Sequence, residues 1–292
     1  MPVLSNISNH AKGLVITAAG VICISPDGLL TRLIEGDALT ITLFRGLFYG
    51  IGMLALLSLY YRGNTLKAFL SIGLPGLLLV LMYGLGNLTF IYSITHTSVA
   101  STLFIIATTP LFAALISWIV FRDRVKPRTW ITIGVAAFGV FLILDSPNLS
   151  ADATSGNLAG LVAAFTLAAS FSLVERNRER DLLPAFVLGG FTIALFLFPF
   201  VEVSATSRSD LFYLLIMGIV LLPVANTMMF IGPKYISAPE VGLMMLLESV
   251  LGPFWVWLIL GEQLTSHVLI GGAIVLTALA VNSVIALTRS NS

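Results

Sequence analysis

Three ionisable side chains lie deep inside long apolar runs of this 292-residue sequence: Asp27, Arg45 and Glu248. A charge at the centre of a bilayer helix costs roughly 2.5–3.5 kcal/mol on insertion scales, so each needs a partner or a wet cavity. Asp27 falls late in the first run and Arg45 early in the second, at a depth where the two can neutralise each other. Such a pair is either a fixed clamp between helices or part of a gate or binding site. Glu248 sits near the middle of the ninth run, with no basic residue at comparable depth in the second half of the chain. A carboxyl there can carry a proton between the two faces or bind a substrate amine. It can also stay neutral and donate one hydrogen bond.

Weaker candidates surround these three. Asn87 and Asn226 are amides inside apolar runs, and each needs a hydrogen-bond partner on another helix or on a solute. Thr109, beside Pro110, belongs to a series of hydroxyls with Ser101, Thr102 and Thr108. Tyr83 lies one turn from Asn87 and can stack on a substrate or simply pack; Tyr92 lies further out. Trp118 and Trp257 fall near run ends, where indoles anchor membrane proteins. Gly46 and Gly50, and again Gly156 and Gly160, have the spacing that lets helices approach closely. The sequence has no HExxH, Walker, Rossmann or GxSxG pattern, and His10, His96 and His267 are far apart. The single cysteine, Cys23, excludes an internal disulfide. Neither an enzyme nor a bound cofactor is expected.

The elements that position these residues follow from composition. Hydrophobic residues make up 58% and charged ones only 10%, too few to wet a soluble domain of this size. The net charge of +1 excludes a strongly basic nucleic-acid binder. Ten apolar runs are long enough to cross a bilayer: roughly 12–31, 39–61, 68–93, 99–121, 128–145, 157–176, 183–203, 210–232, 239–260 and 267–288. Backbone groups in hydrocarbon must bond internally, so the runs are expected as helices. The first lacks a small-x-small cleavage site and is read as a helix rather than a signal peptide.

With the N-terminus in the cytoplasm, the inner loops and helix ends collect Lys12, Arg62, Lys67, Arg122, Arg124, Lys126, Arg128, Arg176, Arg178, Arg180, Lys234 and Arg289. The outer loops hold only Arg32 and Arg208, the asymmetry of a multi-pass membrane protein with both termini cytoplasmic. The basic cluster around Arg122 would meet anionic lipid headgroups. The sequence also repeats. An offset of 139 aligns Asn87 with Asn226, Trp118 with Trp257, Asp123 with Glu262 and Thr109 with Glu248. An offset of 147 aligns Ser25 with Ser172, Ala38 with Ala185 and Phe44 with Phe191. The expectation is an all-α membrane protein of ten transmembrane helices in two inverted five-helix repeats, residues 1–147 and 148–292. Five being odd, the second repeat enters the bilayer from the opposite face, a plan that places substrate near the midplane between halves.

This arrangement resembles the drug/metabolite transporter superfamily, specifically its EamA-type members. The resemblance rests on Thr109-Pro110-Leu111-Phe112-Ala113-Ala114 running to Phe121-Arg122-Asp123-Arg124-Val125, and on Glu248-Ser249 through Gly252-Pro253 to Leu260-Gly261-Glu262-Gln263-Leu264. It departs where Arg122-Asp123 replaces the usual Gly-Glu pair. It implies a secondary, ATP-independent transporter that moves a small metabolite or amino-acid-like solute by alternating access, export first. Uptake of a vitamin- or nucleobase-like compound is the alternative within the class; an intramembrane enzyme or a non-transporting scaffold is the alternative outside it. The expected partners are a small-molecule substrate, protons as a coupling ion, membrane lipids and, for an oligomer, further copies of the chain. The expected location is the cell membrane, a bacterial inner membrane.

Overall fold

The computed structural model describes residues 9–288, apart from 124, 126, 146–149, 203–205, 233, 234 and 237. Arg124, Lys126, Lys234, Arg289 and both chain ends therefore lie outside the described residues. The first crossing is built from α1 (Asn9–Ile24) and α2 (Asp27–Arg32), and the second is α3 (Ala38–Tyr61). A short α4 (Thr65–Leu70) leads to the third, α5 (Gly73–His96). The fourth comprises α6 (Val99–Ile106) and α7 (Thr109–Ile119), and α8 (Pro127–Leu144) is the fifth. The second half runs through α9 (Ala151–Arg176), α10 (Leu183–Leu197), α11 (Arg208–Leu215), α12 (Leu222–Ile231), α13 (Ala238–Leu260) and α14 (Ser266–Thr288). A π-helical turn, Ile216–Leu221, joins α11 to α12 into the eighth crossing. Eight spans are long and apolar enough to cross a bilayer, and Met244–Leu260 and Ser266–Asn282 add two shorter apolar stretches within the 23-residue α13 and α14.

Three crossings expected as continuous helices are interrupted, and proline chemistry explains them. Pro26 and Pro110 cannot donate to the carbonyls four residues earlier. In each case the preceding hydroxyl takes the freed acceptor: Ser25 Oγ donates to Ile22 O at 2.9 Å, and Thr109 Oγ1 to Ile106 O at 2.6 Å. Pro223 follows the π-helical turn of the eighth crossing. The sixth helix begins earlier than the apolar run does, because Ser150 caps it by accepting from the Ala153 amide at 3.1 Å.

The packing follows an exchange rule. The second crossing packs on the seventh (α3 on α10) and the fifth on the tenth (α8 on α14), so each of these pairs is its own image when the halves are swapped. The remaining large contacts come in images of each other. First on eighth (α1 on α12) mirrors sixth on third (α9 on α5); fourth on sixth (α6 and α7 on α9) mirrors ninth on first (α13 on α1). The self-paired crossings meet at glycines. A β-carbon on Gly190 would stand 2.7 Å from Gly46 O, and one on Gly271 would stand 2.5 Å from Gly139 O. A two-fold relation between repeats must pass where a helix touches its own counterpart, so these two glycine crossings mark the axis.

Loop contacts agree with alternating crossings. The face where α1 begins also holds Tyr61, whose hydroxyl donates to Asp181 at 2.7 Å, and Asp123, which pairs with Arg176. The opposite face holds Arg32, Thr97, Tyr92, Ser155, Asp210 and Glu262, linked among themselves or to neighbouring backbone. Between the faces the outer surface is apolar, with Leu195, Ile131, Phe196, Trp118 and Trp257 all at least half exposed, as a lipid-facing wall requires.

Candidate functional site

A chamber of about 120 Å³ lies between the two halves. Seven crossings line it: Ile24 and Asp27 from the first, Arg45 from the second, Tyr83, Asn87 and Phe90 from the third, and Ile106 from the fourth. The second half contributes Thr166 and Ser170 from the sixth, Asn226 and Phe230 from the eighth, and Met245 and Glu248 from the ninth. The fifth, seventh and tenth crossings stay outside it.

The break at Ser25-Pro26 sets the first charge. It starts α2 at Asp27, whose carboxylate points into the protein rather than along the lipid face; the residue is 1% exposed. Arg45, one residue before the close-packed Gly46, reaches it with two parallel bonds, Nη1 to Oδ1 at 2.5 Å and Nη2 to Oδ2 at 2.7 Å. The guanidinium Nε donates to Asn87 Oδ1 at 3.0 Å, and the Phe90 ring lies over the group, 5.4 Å from Cζ to centroid. Planar bidentate pairing of this kind is the strong form of an Arg–carboxylate contact. Because Nε must donate, the Asn87 amide is oriented by the network, leaving its Nδ2 buried and without a partner among the described residues.

Glu248 is 8% exposed and accepts no hydrogen bond from the described residues. Next to it, Ser249 Oγ donates to Leu103 O at 3.1 Å, which fixes this part of α13 against α6. Tyr83 stacks on Tyr49 at 5.0 Å and meets Phe186 edge-on at 5.3 Å. Trp255 Nε1 donates to Ser25 Oγ at 3.1 Å, tying the ninth crossing to the bend that presents Asp27.

The structure thus gathers six of the seven expected site residues, Asp27, Arg45, Tyr83, Asn87, Asn226 and Glu248, around one chamber. Thr109 is the exception. It is 3% exposed, but its hydroxyl closes on the carbonyl that Pro110 frees and it does not line the chamber. Sequence reasoning missed Phe90 and the three methionines Met82, Met229 and Met245 of the wall. Nothing in an apolar run distinguishes a chamber-facing Met from a lipid-facing one. Asp123, at the position where a Gly-Glu pair is usual, still forms an ion pair, with Arg176 of the other half.

Ten crossings in two exchange-related halves, gathered around a charged chamber, define a multi-pass membrane protein of the inverted-repeat class. The sequence profile of the EamA-like transporter family matches residues 11–145 and again residues 154–284, and the chain belongs to that family. It is 25% identical over 258 residues to an uncharacterized transporter of Archaeoglobus fulgidus, covering 87% of this chain and 89% of that one. A protein of known crystal structure shares the fold, with a TM-score of 0.70 over 97% of this chain and 100% of that chain at 15% identity. Membrane transport is therefore the general activity.

Proposed function

We propose that the chain is a secondary transporter that exports a small metabolite or amino-acid-like solute by alternating access of the chamber to the two faces. The observation that carries this reading is the chamber itself: polar groups from both halves converge there, inside an otherwise apolar body. A folded protein gains nothing from burying an acid without a hydrogen bond, and a solute or a proton supplies the missing partner. The ion links at both faces support the cycle. Arg32 of the first half lies 3.6 Å from Glu262 of the second on one face, and Asp123 of the first half meets Arg176 of the second on the other. Each link bridges the two halves at its own face, on either side of the chamber. The N-terminal face carries Lys12, Arg62, Lys67, Arg122, Arg128, Arg176, Arg178 and Arg180 against Arg32 and Arg208 opposite, which supports a cytoplasmic N-terminal face in the cell membrane.

Reconstitution tests the reading. Liposomes bearing the protein should accumulate or release solute against empty liposomes, with Glu248→Gln altering the rate or its pH dependence. Flux that matches empty liposomes for every solute class tried removes the transport reading. Normal transport by the variant at every pH makes Glu248 structural.

A further inference from the structure

The charges of the chamber are unequally matched. Arg45 is held by Asp27 through two bonds and by Asn87 through a third, and its face is covered by Phe90. Glu248 shares the same chamber and has no hydrogen-bond partner among the described residues. With both acids ionised the chamber holds two negative charges against one positive. Beside the hydroxyls of Thr166 and Ser170 and the Asn226 amide, the wall presents aromatic and thioether surface from Tyr83, Phe90, Phe230, Met82, Met229 and Met245. Aromatic faces attract cations, and methionines reshape around apolar bodies of differing outline.

We infer that the solute is an organic cation, an amine with an apolar body, seated with its ammonium on Glu248. This rests on the transport reading above and narrows it. A zwitterionic amino acid fits less well, because its carboxylate would enter beside Asp27 and Glu248 while the charge of the Arg45 guanidinium is already matched by Asp27. Leaving a carboxylate buried and unmatched is strongly unfavourable. A free anion meets the same obstacle without the compensating ammonium. The unpartnered Asn87 Nδ2 adds a donor, so an amine that also carries a hydroxyl or carbonyl acceptor gains a second fixed point.

Three compounds that share one ring and differ only in charge test the inference: phenethylamine, phenylalanine and phenylacetate. Purified protein is titrated with each, and both calorimetric affinity and the shift in melting temperature are read. Phenethylamine should bind at least tenfold more tightly than the other two. Glu248→Gln should weaken it at least tenfold, while Glu248→Asp keeps the preference for the amine. Equal or tighter binding of phenylalanine or phenylacetate overturns the inference, as does unchanged phenethylamine affinity in Glu248→Gln. If the Gln variant does not fold, the ranking on the unaltered protein and the Asp variant decides. Should liposomes carry some other solute while no amine binds, the cation inference falls and transport stands; should no solute cross, it is transport that falls.

Discussion

Asp27 and Arg45 are 1% and 5% exposed, so neither can be relieved by water if the other is lost. Removing one member of such a buried pair leaves a naked charge and typically costs about 3–5 kcal/mol, whereas replacing both is far less damaging. Asp27→Asn and Arg45→Met should each destabilise by about that amount, and the double variant by clearly less than their sum. Denaturant or detergent unfolding of the four proteins measures the coupling, and additive losses would mean the bidentate bonds contribute nothing. The pairing was legible in the sequence because depth is countable from run ends. Glu248's position at mid-depth was legible for the same reason. Thr109 was misread because a hydroxyl before a proline has a local acceptor, the carbonyl that the proline frees, and this outcompetes a distant cavity. Phe90 and the methionines could not be found, since facing is a tertiary property that a uniformly apolar stretch does not encode.

At the scale of the helix, termini and crossings carry the specificity. Asp37 caps α3, accepting from the amides of Leu39 and Thr40 at 2.8 and 2.9 Å and from the Thr40 hydroxyl at 2.7 Å. Partial burial acts to raise its carboxyl pKa, but these hydrogen bonds outweigh it and hold the group below its ordinary value. A depressed carboxyl stabilises the fold above its unfolded-state pKa, and the gain is lost as pH falls through the folded one. Asp37→Ala should therefore cost about 1 kcal/mol at neutral pH, with the difference from the parent protein shrinking below about pH 4. A pH series of thermal melts reads this directly; a difference constant down to strongly acid pH would assign the loss to something other than the cap. The crossings give a second test. Gly190→Ala drives a methyl to 2.7 Å from Gly46 O, which is backbone and cannot rotate away, so about 1–3 kcal/mol should be lost. Gly134→Ala, with nothing within 4 Å, should be neutral or stabilising in the same assay. Ten runs and their order were readable because hydrocarbon thickness fixes helix length. The interruptions of the first, fourth and eighth were less so, because Pro253 is tolerated within α13 while Pro26 and Pro110 are not.

Across the whole molecule the repeats supply symmetry and the charges break it. The glycine crossings and Asn87 with Asn226 are matched between halves, whereas Asp27, Arg45 and Glu248 have no charged counterpart at the corresponding offsets. The scaffold is thus shared between the halves while the charged chemistry stays at one place. The two face links, Arg32–Glu262 and Arg176–Asp123, obey the exchange: each joins the end of one repeat's first helix to the end of the other repeat's fourth helix on its own face. Their side chains are 22–45% exposed, and exposed pairs of this kind contribute about 0–1 kcal/mol. That weakness suits contacts that break once per cycle under the alternating access proposed above. If Glu262→Gln removes about 0.5 kcal/mol from one face only, populations shift about twofold toward the form open on that face. A Cys23→Ala protein with Thr166→Cys in the chamber wall reports this through a membrane-impermeant thiol reagent. Glu262→Gln should raise labelling from the face of Arg32 about twofold, and Asp123→Asn should raise it from the N-terminal face instead. Shifts in the same direction for both variants, or none for either, would mean that the two links do not govern access to the chamber from either face.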